Sequence, residues 1–503
     1  MRGILVTPRR YDGAMARKVA RKSGASRQPD GSEALERALA ELWTSISAGD
    51  VLSAEVQASS LIALPLLTGG TDTEYDLLAA ALISAAEARA LEPEGAAFLR
   101  LVMALGPRTV KRQASEALAD FTDDGVYPPE WVSGIGKPTP RQAYRGRDTF
   151  GDHEVILVTF SYADAEHALL VSLDLAELPT VVSVSLTTDV PRLLKFFEDD
   201  DDLIERLEPI ALSEARRRIE VPLAQAGQDP DYEIETSTLL ALPLARSRIR
   251  RLPTPGPGLA VTYTAADRAA AVDDFLGSPE AAEAGDPDVA RFWAQALTGY
   301  SGRVVDEAPA QAGRHKLGAA LLVYVTSTFT LSAAQIDGIR PAVDAWARWA
   351  ARRQGLGEAA TETLMTHLAT VLGDFQATYD DPVNVVARGY VRDIARPDAD
   401  AAWLADCRAR RELAAPLPEN RDPDDTAVDP ADPDGRAVLI ASEFGACDLA
   451  GADTGEFLAA ASRVAEELWH DDPPATWQAG KSLLAKGHDP HDVIHLLAES
   501  RSK

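Results

Sequence analysis

The chain has 503 residues, of which 46% are hydrophobic and 25% charged, and it carries a formal net charge of −28. At roughly 150 residues per domain it is too long for one core, so about three units are expected, and the ordinary apolar content excludes wholesale disorder. The charge excludes bulk nucleic-acid binding, because most of the surface repels a polyanion.

Arg far outnumbers Lys among the basic residues, and Ala and Asp are abundant. GC-rich codons produce that bias, which points to a high-GC bacterial source. Cys407 and Cys447 stand far apart and form no CxxC pair, so neither a disulfide framework nor a cysteine metal site is indicated. The longest apolar run, Leu317–Val325, falls well short of the ~18 residues of a membrane helix. Ile4–Val6 is too short for the core of a signal peptide, so a cytoplasmic protein without membrane attachment is expected.

Residues 1–30 read as a disordered basic tail, with Arg9, Arg10, Arg17, Lys18, Arg21, Lys22 and Arg27 against Asp12 and Asp30. This tail is the one stretch that could hold nucleic acid or an anionic lipid surface. Met15 opens a run that reads as a start in its own right, leaving open which methionine begins the chain. Residues 31–124 have a helical period: Leu35, Leu39, Leu42 and Ile46 lie on one stripe, and Thr73 with Asp76 resembles a capping box. A helical bundle is expected there.

Residues 125–252 read as an α+β domain. Its first part, Gly125–Phe150, is a long Pro- and Gly-rich connection, in which Ser133–Thr139 (SGIGKPT) resembles the end of a phosphate-binding loop only superficially. Pro138 stands where a hydroxyl must hold magnesium, and Trp131 where a glycine is required. Three strands follow as an antiparallel meander: Glu154–Phe160, Ala168–Asp174 and Val181–Leu186. His167 shares a strand face with Leu169, Val171 and Leu173, which suits a buried, hydrogen-bonded ring. Pro191–Glu208 reads as helix, acidic turn and helix, Tyr232–Thr236 as a short strand, and Leu239–Arg251 as a helix.

Pro253–Gly258 (PTPGPG) breaks every regular structure and marks the strongest domain boundary. Residues 259–415 then read as a helical domain. Ser278-Pro279 and Asp286-Pro287 suit helix starts, Ser332 with Gln335 makes a capping box, and Val343, Trp346, Trp349 and Ala350 form an apolar face. Residues 416–435 form an acidic, proline-punctuated linker. An EF-hand reading of its end fails, because Pro430 and Ala441 occupy the positions of the first and last acidic ligands.

Residues 436–503 contain a C-terminal helical hairpin and four of the eight histidines. One helix starts after Asp472-Pro473 and stops at Lys486-Gly487; the next starts after Asp489-Pro490 and carries His491 and His495 on one face. With His488, or with His470 and Asp471, these could supply three ligands to zinc, the metal that such a set suits. The competing reading is a polar face of solvated or hydrogen-bonded histidines. HExxH, GxSxG, GxGxxG and a complete P-loop are all lacking, so no other cofactor is indicated.

The hairpin's Pro-Pro start, Leu-Leu-x-x-Gly and His-x-x-x-His-Leu-Leu, together with Arg147–Asp152 (RDTFGD) and Glu166–Asp174 (EHALLVSLD), resemble segments of uncharacterised actinobacterial proteins. That resemblance implies no activity. The sequence therefore predicts a predominantly helical α+β protein with a small central antiparallel meander and a C-terminal helical hairpin. It reads as a non-enzymatic binding or scaffold protein with a protein partner. The alternatives are a metal-dependent hydrolase built on His488, His491 and His495, with His153, His167 and Asp174 as further candidates, and a nucleic-acid-associated regulator acting through the tail.

Overall fold

A run of apolar residues interrupted by Thr159 and Ser161, and preceded by His153 and Glu154, forms the strand His153–Tyr162, the most buried strand of a computed structural model of the chain. The structure describes residues 31–68, 71–162, 165–199, 206–228, 234–256, 263–301, 307–416, 428–444 and 454–501. The basic tail and residues 417–427 of the acidic linker lie outside them. The described residues fall into two compact units, one within 10–261 and the other within 262–503.

The first unit opens with helices α1 (Gly31–Ala48), α2 (Val51–Ile62), α3 (Asp72–Glu87), α4 (Pro93–Leu105) and α5 (Arg108–Asp123). Their shared core includes Leu42, Ile46, Phe98, Leu99 and Leu101, each 1% exposed or less. Burying a side chain of this size stabilises the fold by ~1.5–3 kcal/mol before chain entropy is subtracted. The capping box that starts α3 is Thr71 with Glu74, two residues before the pair expected from sequence.

Strands β1 (Thr139–Arg147), β2 (His153–Tyr162), β3 (Ala165–Asp174) and β4 (Thr180–Thr187) follow, then α6 (Val190–Asp199), β5 (Glu208–Ile210), α7 (Leu212–Gln225) and α8 (Thr236–Ile249). The sheet is antiparallel in the order β4-β3-β2-β1-β5. The expected three-strand meander is present as β2, β3 and β4. The fourth large strand, β1, lies in the stretch read as a connection: TPRQAYRGR has no apolar alternation, because its Arg145 and Arg147 are held by charge. Glu208 belongs to β5 instead of a second helix after the acidic run, and Thr236 opens α8 where a strand was expected to end.

One sheet face, with Ile156, Val158, Phe160, Leu169, Val171 and Leu173, packs on α7 and α8. The other, with Val155, Leu157 and Ala168, packs on Val190 and Phe197 of α6. Tyr162, Phe160, Val158, Ile156 and Glu154 alternate along the α7–α8 face, so its apolar centre is bounded at both ends by polar groups.

The second unit contains α9 (Ala265–Leu276), α10 (Pro287–Ser301), α11 (Arg314–Ala319), a wider π turn (Ala320–Val325), α12 (Thr326–Thr328), α13 (Ala333–Asp337), α14 (Ile339–Gln354), α15 (Glu358–Tyr379), α16 (Pro382–Gly389), α17 (Ala401–Ala414), α18 (Pro433–Phe444), α19 (Thr454–His470), α20 (Pro474–Ala485) and α21 (Pro490–Glu499). Ser332 and Gln335 form the expected capping box, whereas Ser278-Pro279 leads only into a short 3-10 turn. Trp293, Trp346 and Trp349 are buried to within 1% of complete, and Trp349 packs edge-on against Phe275. A separate core joins Val386–Ala415 to Leu439–Ala498 around Phe444, Leu468 and Trp469. Helix α18 begins at Pro433, inside the span read as linker, where Arg436 donates to the Pro430 and Ala431 carbonyls and pairs with Glu466. Helices α20 and α21 form the expected C-terminal hairpin, and among the described residues no helix is long and apolar enough to cross a membrane.

Candidate functional site

Helix α15 buries a stripe of Leu364, Leu368, Val371 and Phe375, spaced at i, i+4, i+7 and i+11. The same period places Ala359, Glu362, Thr363, Thr366, His367 and Thr370 along a neighbouring stripe, and these residues line an open cleft of about 540 Å³ with Arg314 at the start of α11. His315, next on α11, brings its ring to 5.9 Å from that of His367.

Burial holds the His367 imidazole below its ordinary pKa, and the nearby His315 and Arg314 reinforce this; a hydrogen bond with the Arg314 backbone opposes it. The cleft thus offers one permanent cation, a neutral imidazole and a row of hydroxyls. The hydroxyl of Thr363 donates to the Ala359 carbonyl at 2.9 Å and that of Thr370 to the Thr366 carbonyl at 3.4 Å. Their protons are therefore spent on their own helix, and the oxygens keep lone pairs that accept from an incoming N–H. Glu362 is the acidic side chain among the lining residues. Sequence reasoning missed this site. The usable signal was the stripe Thr363, Thr366 and Thr370 beside His367, next to the apolar stripe of the same helix.

The C-terminal histidines are placed differently from a ligand set. His488 is exposed, before the N-cap of α21. His491 hydrogen-bonds through Nδ1 to Glu443 Oε1 at 2.8 Å and packs on Phe444, with ring centroids 4.5 Å apart. His495 lies 4.9 Å from the Phe457 ring and 3.5 Å from Glu499. His470 pairs with Glu466 on its own helix. Among the described residues no three His, Cys, Asp or Glu side chains are grouped so as to hold a metal ion. On the same helix as His491 and His495, Leu496 is 39% exposed, while Val493 and Ile494 are fully buried.

Two charged networks close the ends of the sheet's α7–α8 face. At one, Arg145, Arg147 and Arg218 converge on Glu154 Oε2 at 2.7, 2.8 and 3.1 Å. Burial opposes the Glu154 charge, but Arg218, Arg147 and Arg145 outweigh it and hold the carboxyl below the usual range. At the other, Glu55 of α2 accepts from Arg248 Nη2, from the Tyr162 hydroxyl and from the Gly136 amide. Arg248 Nε donates to His167 Nε2 at 3.0 Å, and the His167 ring lies between Phe160 and Tyr162. Burial, reinforced by Arg248, lowers the His167 pKa to about 3, so the ring is neutral at physiological pH. Glu55, Arg248 and His167 are all completely buried, so this network has no access for a substrate and serves the fold. His153 and Asp174 pair across β2 and β3 at the opposite end of the strands from His167, so the structure does not assemble His153, His167 and Asp174 into one centre.

Comparison with protein-family models, with curated proteins and with solved structures finds no match.

Proposed function

We propose that the protein acts by binding, as a non-enzymatic scaffold or adaptor, and that the α11–α15 cleft holds a segment of a protein partner that carries an acidic side chain. The observation that carries this reading is the donor and acceptor pattern of the cleft. Thr363 and Thr370 present oxygens whose protons are already engaged, which suits the backbone N–H groups of a peptide, and Arg314 supplies the cation that suits its carboxylate. In a chain of net charge −28, the Arg314 guanidinium also draws an acidic segment to this place in preference to the rest of the surface.

The test is a titration of the full chain with a fluorescent glutamate-rich peptide and its glutamine counterpart. Arg314→Glu is expected to weaken binding of the acidic peptide at least ~10-fold, equivalent to about 1.4 kcal/mol, and to leave the weak binding of the glutamine peptide unchanged. Equal affinity of wild type and Arg314→Glu for the acidic peptide would remove the reading.

A further inference from the structure

Beneath α11, on the Lys316 side of the helix, lies a small interior cavity whose free space for the centre of a water-sized sphere is about 10 Å³. Its walls include Leu297, Ser301, Glu307, Lys316, Ala320 and Trp346. Lys316 and Glu307 form an ion pair at 3.1 Å with side chains 6% and 1% exposed. Trp346 is 1% exposed, and its indole Nε1, a group that can only donate, is buried with no hydrogen-bond partner. Buried polar groups are nearly always partnered, by protein or by ordered water, so a lone indole N–H on a residue that lines a largely apolar cavity, beside the Lys316–Glu307 ion pair, calls for an occupant.

We infer that this cavity is a binding site for a single internal water molecule, which accepts from Trp346 Nε1 and donates to the Glu307 carboxylate. The free space of about 10 Å³ is at the lower end of the ~10–15 Å³ that one water requires by this measure. A metal cation does not suit this lining, because the polar groups of Trp346 and Lys316 are donors only and the Glu307 carboxylate is already paired with Lys316. An anion gains from those donors but meets the Glu307 carboxylate across the same cavity, and Lys316 already balances that charge. A neutral molecule that both accepts and donates satisfies every wall. Apolar cavities stay empty, but this one has an ion pair and an indole N–H in its lining. The sequence provides the space through Ala320, where a small side chain begins the wider π turn; such turns often accompany functional sites within helices.

The test combines a crystal structure of the full chain, at a resolution that shows ordered water, with oxygen-17 relaxation dispersion, which counts long-lived internal waters in solution. The expected result is density ~2.7–3.2 Å from Trp346 Nε1, the ordinary hydrogen-bond range. Ala320→Val, which fills the cavity, should lower the count of long-lived waters by one. Trp346→Phe keeps most of the wall and removes the donor, and should lose the same water; it decides the matter should Ala320→Val fail to fold. An empty cavity, a protein acceptor found on Nε1, or a water retained in Trp346→Phe would overturn the inference.

Discussion

Arg248 and Glu55, 193 residues apart in sequence, form an ion pair at 2.5 Å in which neither side chain is exposed. It ties α8 to α2 and, through Tyr162 and His167, ties both to the sheet. A buried pair of this kind contributes little net stability against an apolar substitute, but removing one partner strands a charge. Arg248→Met alone is expected to cost about 3–5 kcal/mol in urea unfolding, and Glu55→Leu a similar amount. The double substitution should cost clearly less than their sum, because it leaves no uncompensated charge. Additive losses would show that the two residues do not act as a pair.

The same network gives the first unit a pH dependence. His167 titrates near 3 when folded and near its ordinary 6.5 when unfolded, so between these values the unfolded chain binds the extra proton. Its contribution to stability is complete above pH ~6.5 and is lost as pH falls toward 3, at about 1.4 kcal/mol per pH unit. Glu154, also depressed, adds a loss in the same direction below the carboxylate range. Unfolding free energies of wild type and His167→Gln measured from pH 7 to pH 4 should show the shallower slope in the variant. Parallel curves would contradict the buried neutral ring.

In the hairpin, His491 and His488 should separate sharply. His491→Ala removes the contact with Glu443 and the packing on Phe444, and is expected to cost about 1–2 kcal/mol. His488→Ala touches an exposed side chain and should stay within about 0.5 kcal/mol. Thermal melts of both variants with and without a chelator check this. A chelator-dependent melting temperature, abolished in both variants, would instead mark a metal site.

What the sequence made legible was whatever burial writes as a period. The meander strands β2, β3 and β4 show because Ile156, Val158 and Leu169 must face the core, and the hairpin shows because Pro474, Gly487 and Asp489 punctuate it. Strand β1 is silent, since its inward Arg145 and Arg147 are charged and make sense only once Glu154 stands across the ladder. The histidine face of α21 was read correctly as a face, but the partners of its rings, Glu443 and Phe444, lie on α18, and no local spacing joins them. The α11–α15 cleft was hidden for the same reason: Arg314 and His315 meet His367 only through packing of two helices distant in sequence.

The central claim, that the α11–α15 cleft binds an acidic protein segment, is tested most directly by methyl NMR of threonine-labelled full chain titrated with the glutamate-rich peptide. Thr363, Thr366 and Thr370 should shift together and saturably, while Thr264, which caps α9, and Thr71, which caps α3, stay unmoved, and Arg314→Glu should abolish the shifts. Saturable shifts confined to methyl groups away from α15, or none at all, would contradict the account.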